Sequence, residues 1–203
     1  MRALAALTLL LLFGLAACSK GSQVASGDMT MGRAAAPITL IEYGSVTCAH
    51  CAAFQENILP ELQSKYIATG KVRYVFREYL TPPENIAAAG FLTARCAGKD
   101  RYFQVIDAIM RAQPDMYAGD DTHNAMPTLR RIGKSFGLSD SAFDRCVTDL
   151  KGTQAIQAKM AEYDRADPIT GAPTFYVNGR RLVRTTGDIR DFDTAFAPLL
   201  ANH

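Results

Sequence analysis

Apolar positions along the chain fall into runs of different period, and each period predicts a different element. After Met1-Arg2 comes a predominantly apolar stretch over residues 3–15. Pro37-Ile38-Thr39-Leu40-Ile41-Glu42-Tyr43 is short and almost wholly apolar, with one acid inside it, and predicts a buried strand. After Gly44-Ser45-Val46-Thr47 the period lengthens. Ile58, Leu62 and Tyr66 recur at i, i+4 and i+8, so a helix is expected over residues 49–69 with that stripe on the core. Pro60 lies inside this helix and should kink it, while Gly70 should end it. Residues 72–79 (VRYVFREY) predict a second strand.

Between residues 82 and 167 no strand pattern occurs. Helices are expected over 84–97, 100–113, 128–136, 140–150 and 153–166, punctuated by Gly98, Gly119, Gly137 and Gly152, with Ser139 and Thr153 as N-caps. Strand signals return at Thr174-Phe175-Tyr176-Val177. Asn178-Gly179 then predicts a two-residue hairpin turn, with a returning strand over 181–185. Asp188 opens a last helix with Ile189, Phe192, Phe196 and Leu199 on one face. The order β-α-β, helices, β-β-α describes an α/β sheet domain (31–81 and 168–203) interrupted by an all-helical subdomain (82–167).

A chain of 203 residues, 48% hydrophobic, can bury one sizeable core. The net charge is only +2 and no basic run is interleaved with aromatics, so nucleic-acid binding is not expected. Residues 1–17 read as a secretory signal too short to span a membrane. Its end, Leu15-Ala16-Ala17-Cys18, resembles the bacterial lipobox, which makes Cys18 the expected lipidation site. More than one acyl chain there would anchor the protein stably on a membrane with its domain facing the periplasm. Whether that membrane is the inner or the outer one is left open by Ser19. The polar segment up to residue 30 (SKGSQVASGDMT after Cys18) reads as a tether with a reach of about 20 Å.

Export gives the remaining cysteines meaning. Cys48, Cys51, Cys96 and Cys146 allow two bridges in three connectivities. The close spacing of Cys48 and Cys51 favours pairing them, leaving Cys96 with Cys146. Closing that loop of about 50 residues would be worth at most ~4 kcal/mol.

Cys48-Ala49-His50-Cys51 sits where the first strand hands over to the helix. Two thiols at this spacing and place form a dithiol/disulfide exchange centre. Unpaired N–H groups at the helix start favour a Cys48 thiolate, and His50 can add a positive charge. Cys51, one turn in and less exposed, is the expected resolving thiol. A metal at Cys48, His50 and Cys51 would need a further ligand that no second cluster offers, so none is expected. His123 and His203 read as surface residues. Glu42 reads either as a strand-edge acid reaching solvent or as a buried acid of raised pKa that relays the resolving thiol's proton. In Gly171-Ala172-Pro173-Thr174, a cis Ala172-Pro173 bond is expected to present backbone to an extended substrate.

Strand, Cys-x-His-Cys helix, strand, helical insertion and then Gly-x-Pro-Thr-Phe-x-x-Asn-Gly together resemble the thioredoxin-fold DsbA family of periplasmic thiol oxidases. The likeness runs from about Met31 to the C-terminus. It implies a thioredoxin fold with an inserted helical subdomain, Cys48 as nucleophile, Cys51 as resolving thiol and Pro173 as the cis-proline beside them. Glu42 falls where family members carry a buried acid, and Ala49 stands where the best-known oxidases have proline. A second bridge such as Cys96–Cys146 occurs in some members. The implied activity needs no cofactor beyond the redox-active Cys48–Cys51 disulfide. The implied substrates are reduced or unfolded exported proteins, and the implied recycling partner is a DsbB-like membrane protein. A monomer is expected. A disulfide reductase or isomerase, or a non-catalytic binding protein of the same fold, are the alternatives.

Overall fold

The structure, a computed structural model, describes residues 24–119 and 121–201. The expected signal peptide, Cys18 and His203 lie outside the described residues. Strands β1 (Met29–Met31), β2 (Ile38–Gly44), β3 (Val72–Glu78), β4 (Thr174–Val177) and β5 (Arg180–Arg181) form one mixed sheet in the order β1-β3-β2-β4-β5. Only β2 and β3 run parallel. They flank the crossover formed by α1 (Ala49–Asn57), α2 (Leu59–Leu62) and a π-helical turn, Gln63–Ile67. Helices α3 (Glu84–Cys96), α4 (Tyr102–Arg111), α5 (Gln113–Met116), α6 (Ala125–Ser135), α7 (Asp140–Val147) and α8 (Leu150–Ala166) make the helical block, and α9 (Arg190–Leu200) follows β5.

The central place of β2 explains its nearly unbroken apolar run, since helices or side chains cover both faces. Side chains alternate along a strand. Ile38 and Leu40 therefore join the main core with Cys51, Phe54, Tyr74 and Phe76, while Ile41 and Tyr43 join a smaller cluster with Val75, Tyr163 and Tyr176. Glu42 has the parity of Leu40, and so it points into the main core.

Several expectations change in detail. The helix over 49–69 is divided at Ile58, whose φ of −121° breaks the spiral, and Pro60 opens α2 instead of kinking a continuous helix. The stripe survives the break, with Ile58, Leu62 and Tyr66 all buried. Gly152 and Thr153 lie inside α8, not at a stop and a cap. A Cβ at Gly152 would stand 2.6 Å from Leu92 Cδ2, so close packing against α3 holds this glycine in the helix. Asn178 and Gly179 both adopt positive φ, as the hairpin turn requires, but the returning strand pairs only over Arg180–Arg181.

The expected tether also begins to fold early. Met29–Met31 adds an edge strand, and Asp28 forms an ion pair with Arg77 at 3.1 Å, each side chain only 2% exposed. Removing one partner of such a pair strands a buried charge.

Cys96, the last residue of α3, is bonded to Cys146 in α7, a separation of 50 residues. Replacing both cysteines by alanine should lower unfolding free energy by about 2–4 kcal/mol. Urea denaturation with the Cys48–Cys51 pair held in one redox state measures this, and an unchanged midpoint would show the bridge to be energetically idle.

Candidate active site

The first turn of a helix leaves N–H groups without helical acceptors. In α1 the N-cap is Cys48, with extended φ and ψ of −92° and 118°, and its sulfur accepts from Cys51 N–H at 3.3 Å. Sulfur thus occupies the position a serine or aspartate oxygen takes in an ordinary cap. A thiolate satisfies such donors better than a thiol, so capping and ionisation are linked.

The approach to this cap is held from three sides. Thr47 Oγ1 donates to the Thr81 carbonyl at 2.9 Å, just ahead of a cis Pro82-Pro83 bond. Gln113 Nε2, from the helical block, donates to the carbonyls of Val46 at 2.8 Å and Cys48 at 3.2 Å. Ala172-Pro173 is cis as expected, and the Cys48 thiol donates to the Ala172 carbonyl at 3.2 Å. Thr174 is buried and its hydroxyl is taken by the Gly171 carbonyl at 2.7 Å, so it closes this loop.

Both Cys48 and Cys51 are unbridged, and their surroundings differ sharply. Hydrogen bonding from the Cys51 thiol, and from the N–H groups of Cys51 and His50, outweighs partial burial and holds the Cys48 pKa down at about 6. The His50 charge is the smallest contributor, and its side chain is exposed. Burial pushes Cys51 strongly upward, and hydrogen bonding to Cys48 and the charge of Glu42 push the same way.

Glu42 is fully buried, so the solvent-reaching alternative does not hold. Tyr74 Oη donates to its Oε2 at 2.5 Å, while Oε1 has no hydrogen-bond partner among the described residues. Burial raises its pKa to about 8, with the Cys48 charge adding to it. The Tyr74 hydrogen bond and the Arg184 charge oppose the rise. A Cβ at Gly44 would stand 2.7 Å from Oε1, so glycine makes room for the acid. The site therefore holds one group ready to lose a proton and two that retain theirs.

The structure brings Cys48, His50, Cys51, Ala172 and Pro173 together, with Glu42 beneath them on the core face of β2. Cys96–Cys146 stays in the helical block, and His123 is exposed beside Asp121. Gln113, Tyr74 and the second cis-proline were not expected. Gln113 and Tyr74 act across 67 and 32 residues of sequence, and no local pattern marks them. The Pro82-Pro83 pair was a visible signal for a cis bond.

The sequence profile of the thioredoxin family matches residues 24–193. A Rickettsia bellii protein, provisionally named a protein-disulfide oxidoreductase, is 32% identical over 157 residues, covering 77% of this chain and 59% of that protein. A similarly named Rickettsia conorii protein is 33% identical over 157 residues, covering 77% and 55%. The chain thus spans little more than half the length of these relatives. Among solved structures, Wolbachia pipientis alpha-DsbA1 superposes with a TM-score of 0.76 at 25% identity, covering 88% of this chain and 94% of that one. Oxidised BdbD from Bacillus subtilis shares the fold at a TM-score of 0.72 and 20% identity, covering 86% and 94%.

Two measurements follow from this geometry. The ultraviolet absorbance of the Cys48 thiolate should titrate near pH 6. Cys51→Ala should raise that midpoint more than His50→Ala does, and the reverse order would assign the effect to histidine. Glu42→Gln keeps the shape and can still accept from Tyr74. The Glu42 carboxyl binds its proton more tightly folded than unfolded, so its destabilising effect is absent below pH 4.5 and grows as pH rises through about 8. The variant should therefore be more stable than the parent at pH 7, by roughly 3 kcal/mol, and close to it at pH 4. Denaturant titrations at both pH values test this; a constant difference would refute a raised pKa.

Proposed function

The chain belongs to the thioredoxin family, and from that premise we propose that it is a DsbA-type thiol:disulfide oxidoreductase that donates its Cys48–Cys51 disulfide to exported proteins. The observation that carries this reading is the pairing of a thiolate-favouring Cys48 at a helix N-terminus with the cis-Pro173 loop 3.2 Å away.

A substrate thiolate attacks Cys48 Sγ in the disulfide, a mixed disulfide forms, and the Cys51 sulfur leaves. Burial makes a free Cys51 thiolate costly, so it takes up a proton, for which Glu42 below it is the relay. A second substrate thiolate then attacks the substrate sulfur of the mixed disulfide and expels Cys48 as thiolate. Two electrons pass from the substrate thiols to the Cys48–Cys51 pair. The Ala172 carbonyl, freed when Cys48 has no proton to donate, can pair with the N–H of an extended substrate. Stabilising the reduced form as a thiolate makes the disulfide more oxidising and Cys48 a better leaving group.

The lipobox-like Leu15-Ala16-Ala17-Cys18 supports placement on the periplasmic face of a membrane, where disulfides persist. A DsbB-like membrane protein would reoxidise the pair.

Equilibration with glutathione redox buffers gives the potential of Cys48–Cys51. A value nearer about −120 mV, as in strong oxidases, than about −270 mV, as in thioredoxin, is expected. A thioredoxin-like value would make the protein a reductase.

A further inference from the structure

Arg184 follows β5 and turns back toward the cis-proline loop. Its guanidinium carbon lies 5.6 Å from the ring centroid of Phe175, 5.7 Å from that of Phe192 and 6.0 Å from that of Phe54. Only 22% of the side chain is exposed. A guanidinium has five N–H donors and no acceptor, yet among the described residues none accepts a hydrogen bond from Arg184, its buried Nε included. Asp191 forms a long ion pair with Nε, at 3.5 Å, and also accepts from the N–H groups of Thr185, Thr186 and Gly187. Only Nε is buried, so the rest of the guanidinium fork can still take acceptors from outside this chain.

Its position says where they would come from. Arg184 lines a groove of about 540 Å³ that runs along His50, Phe54, Ala172 and Pro173. It also lines a second groove of about 390 Å³ that shares Pro173 with the first and adds Arg181 and Val183. Neither lining includes a carboxylate. Val183 is 74% exposed and offers an apolar wall. An extended peptide that reaches Cys48 along the His50, Ala172 and Pro173 wall therefore also meets Arg184, which lines the same groove.

We propose that Arg184 is a specificity-determining residue of this site, docking a carboxylate that the substrate protein carries close to its reacting cysteine. The planar fork suits a carboxylate bidentately, and the aromatic rings hold the fork in place before binding. The proposal rests on the exchange reading and names its substrate class: acidic segments around the cysteine.

The test uses the oxidised whole chain and two dithiol peptides identical except for Glu or Gln beside one cysteine. Their serine counterparts, which cannot exchange, report binding by fluorescence anisotropy. The Glu peptide should be oxidised, and its serine form bound, roughly three- to tenfold better than the Gln peptide. That ratio should shrink as ionic strength rises. Arg184→Met keeps an apolar stem on the rings and should bring the ratio to about one, whereas Arg184→Lys should keep part of it. Should the Met variant not fold, the salt dependence and the Lys variant decide. Equal rates for Glu and Gln, or a preference that survives in Arg184→Met, overturn the docking role and leave the exchange reading standing. A Glu preference in binding with neither dithiol peptide oxidised does the reverse, and the absence of both overturns both.

Discussion

The unpaired N–H groups at the start of α1 must be met by some acceptor, and the chain meets them with sulfur. A neutral thiol is a weak acceptor and a thiolate a strong one, so completing the helix favours ionising Cys48. Secondary structure and redox chemistry share one interaction here. The surrounding contacts serve its geometry: Thr47 with Thr81 below, Gln113 from the helical block, and the cis-Pro173 loop in front. None of these groups reacts, yet each fixes where the sulfur stands.

Within one helical turn the environment reverses. Cys51 is buried where Cys48 is half-exposed, and the same chemical group is pushed in opposite directions. Glu42 continues the contrast. Strand alternation aims it into the main core, where an ionised carboxylate loses water and gains only the Tyr74 hydroxyl on one oxygen. Retaining a proton is the less costly outcome. Burial costs stability at neutral pH and keeps a titratable acid close enough to Cys51 to raise its pKa.

Away from the site, the other face of the sheet carries a second buried polar network. Arg77 binds Asp28 and donates to Tyr43 Oη at 2.6 Å, and Tyr43 in turn donates to Asp167 at 2.5 Å. This chain ties the edge strand β1 to β3 and β2, and then to the segment that leads from α8 into β4. It thereby fixes the frame from which the Pro173 loop projects, while the Cys96–Cys146 bond secures the block that supplies Gln113.

By itself the sequence determined what local chemistry can write: the apolar run of β2, the helical stripe of Ile58, Leu62 and Tyr66, the Asn178-Gly179 turn, the helical block, and two thiols at a helix start. These depend on neighbours a few residues apart, and local order survived even where boundaries moved. Tertiary structure alone decided the rest. Glu42 could face water or core until β3 and β4 flanked its strand; Gly152 reads as a stop until Leu92 packs against it; residues before Met31 read as tether until Asp28 finds Arg77. Gln113, Tyr74 and Arg184 carry no local mark, because their roles come from partners brought close only by the fold. Which of the two thiols ionises was already legible from their places at the helix start, whereas the burial and hydrogen bonds that push them apart belong to the folded chain.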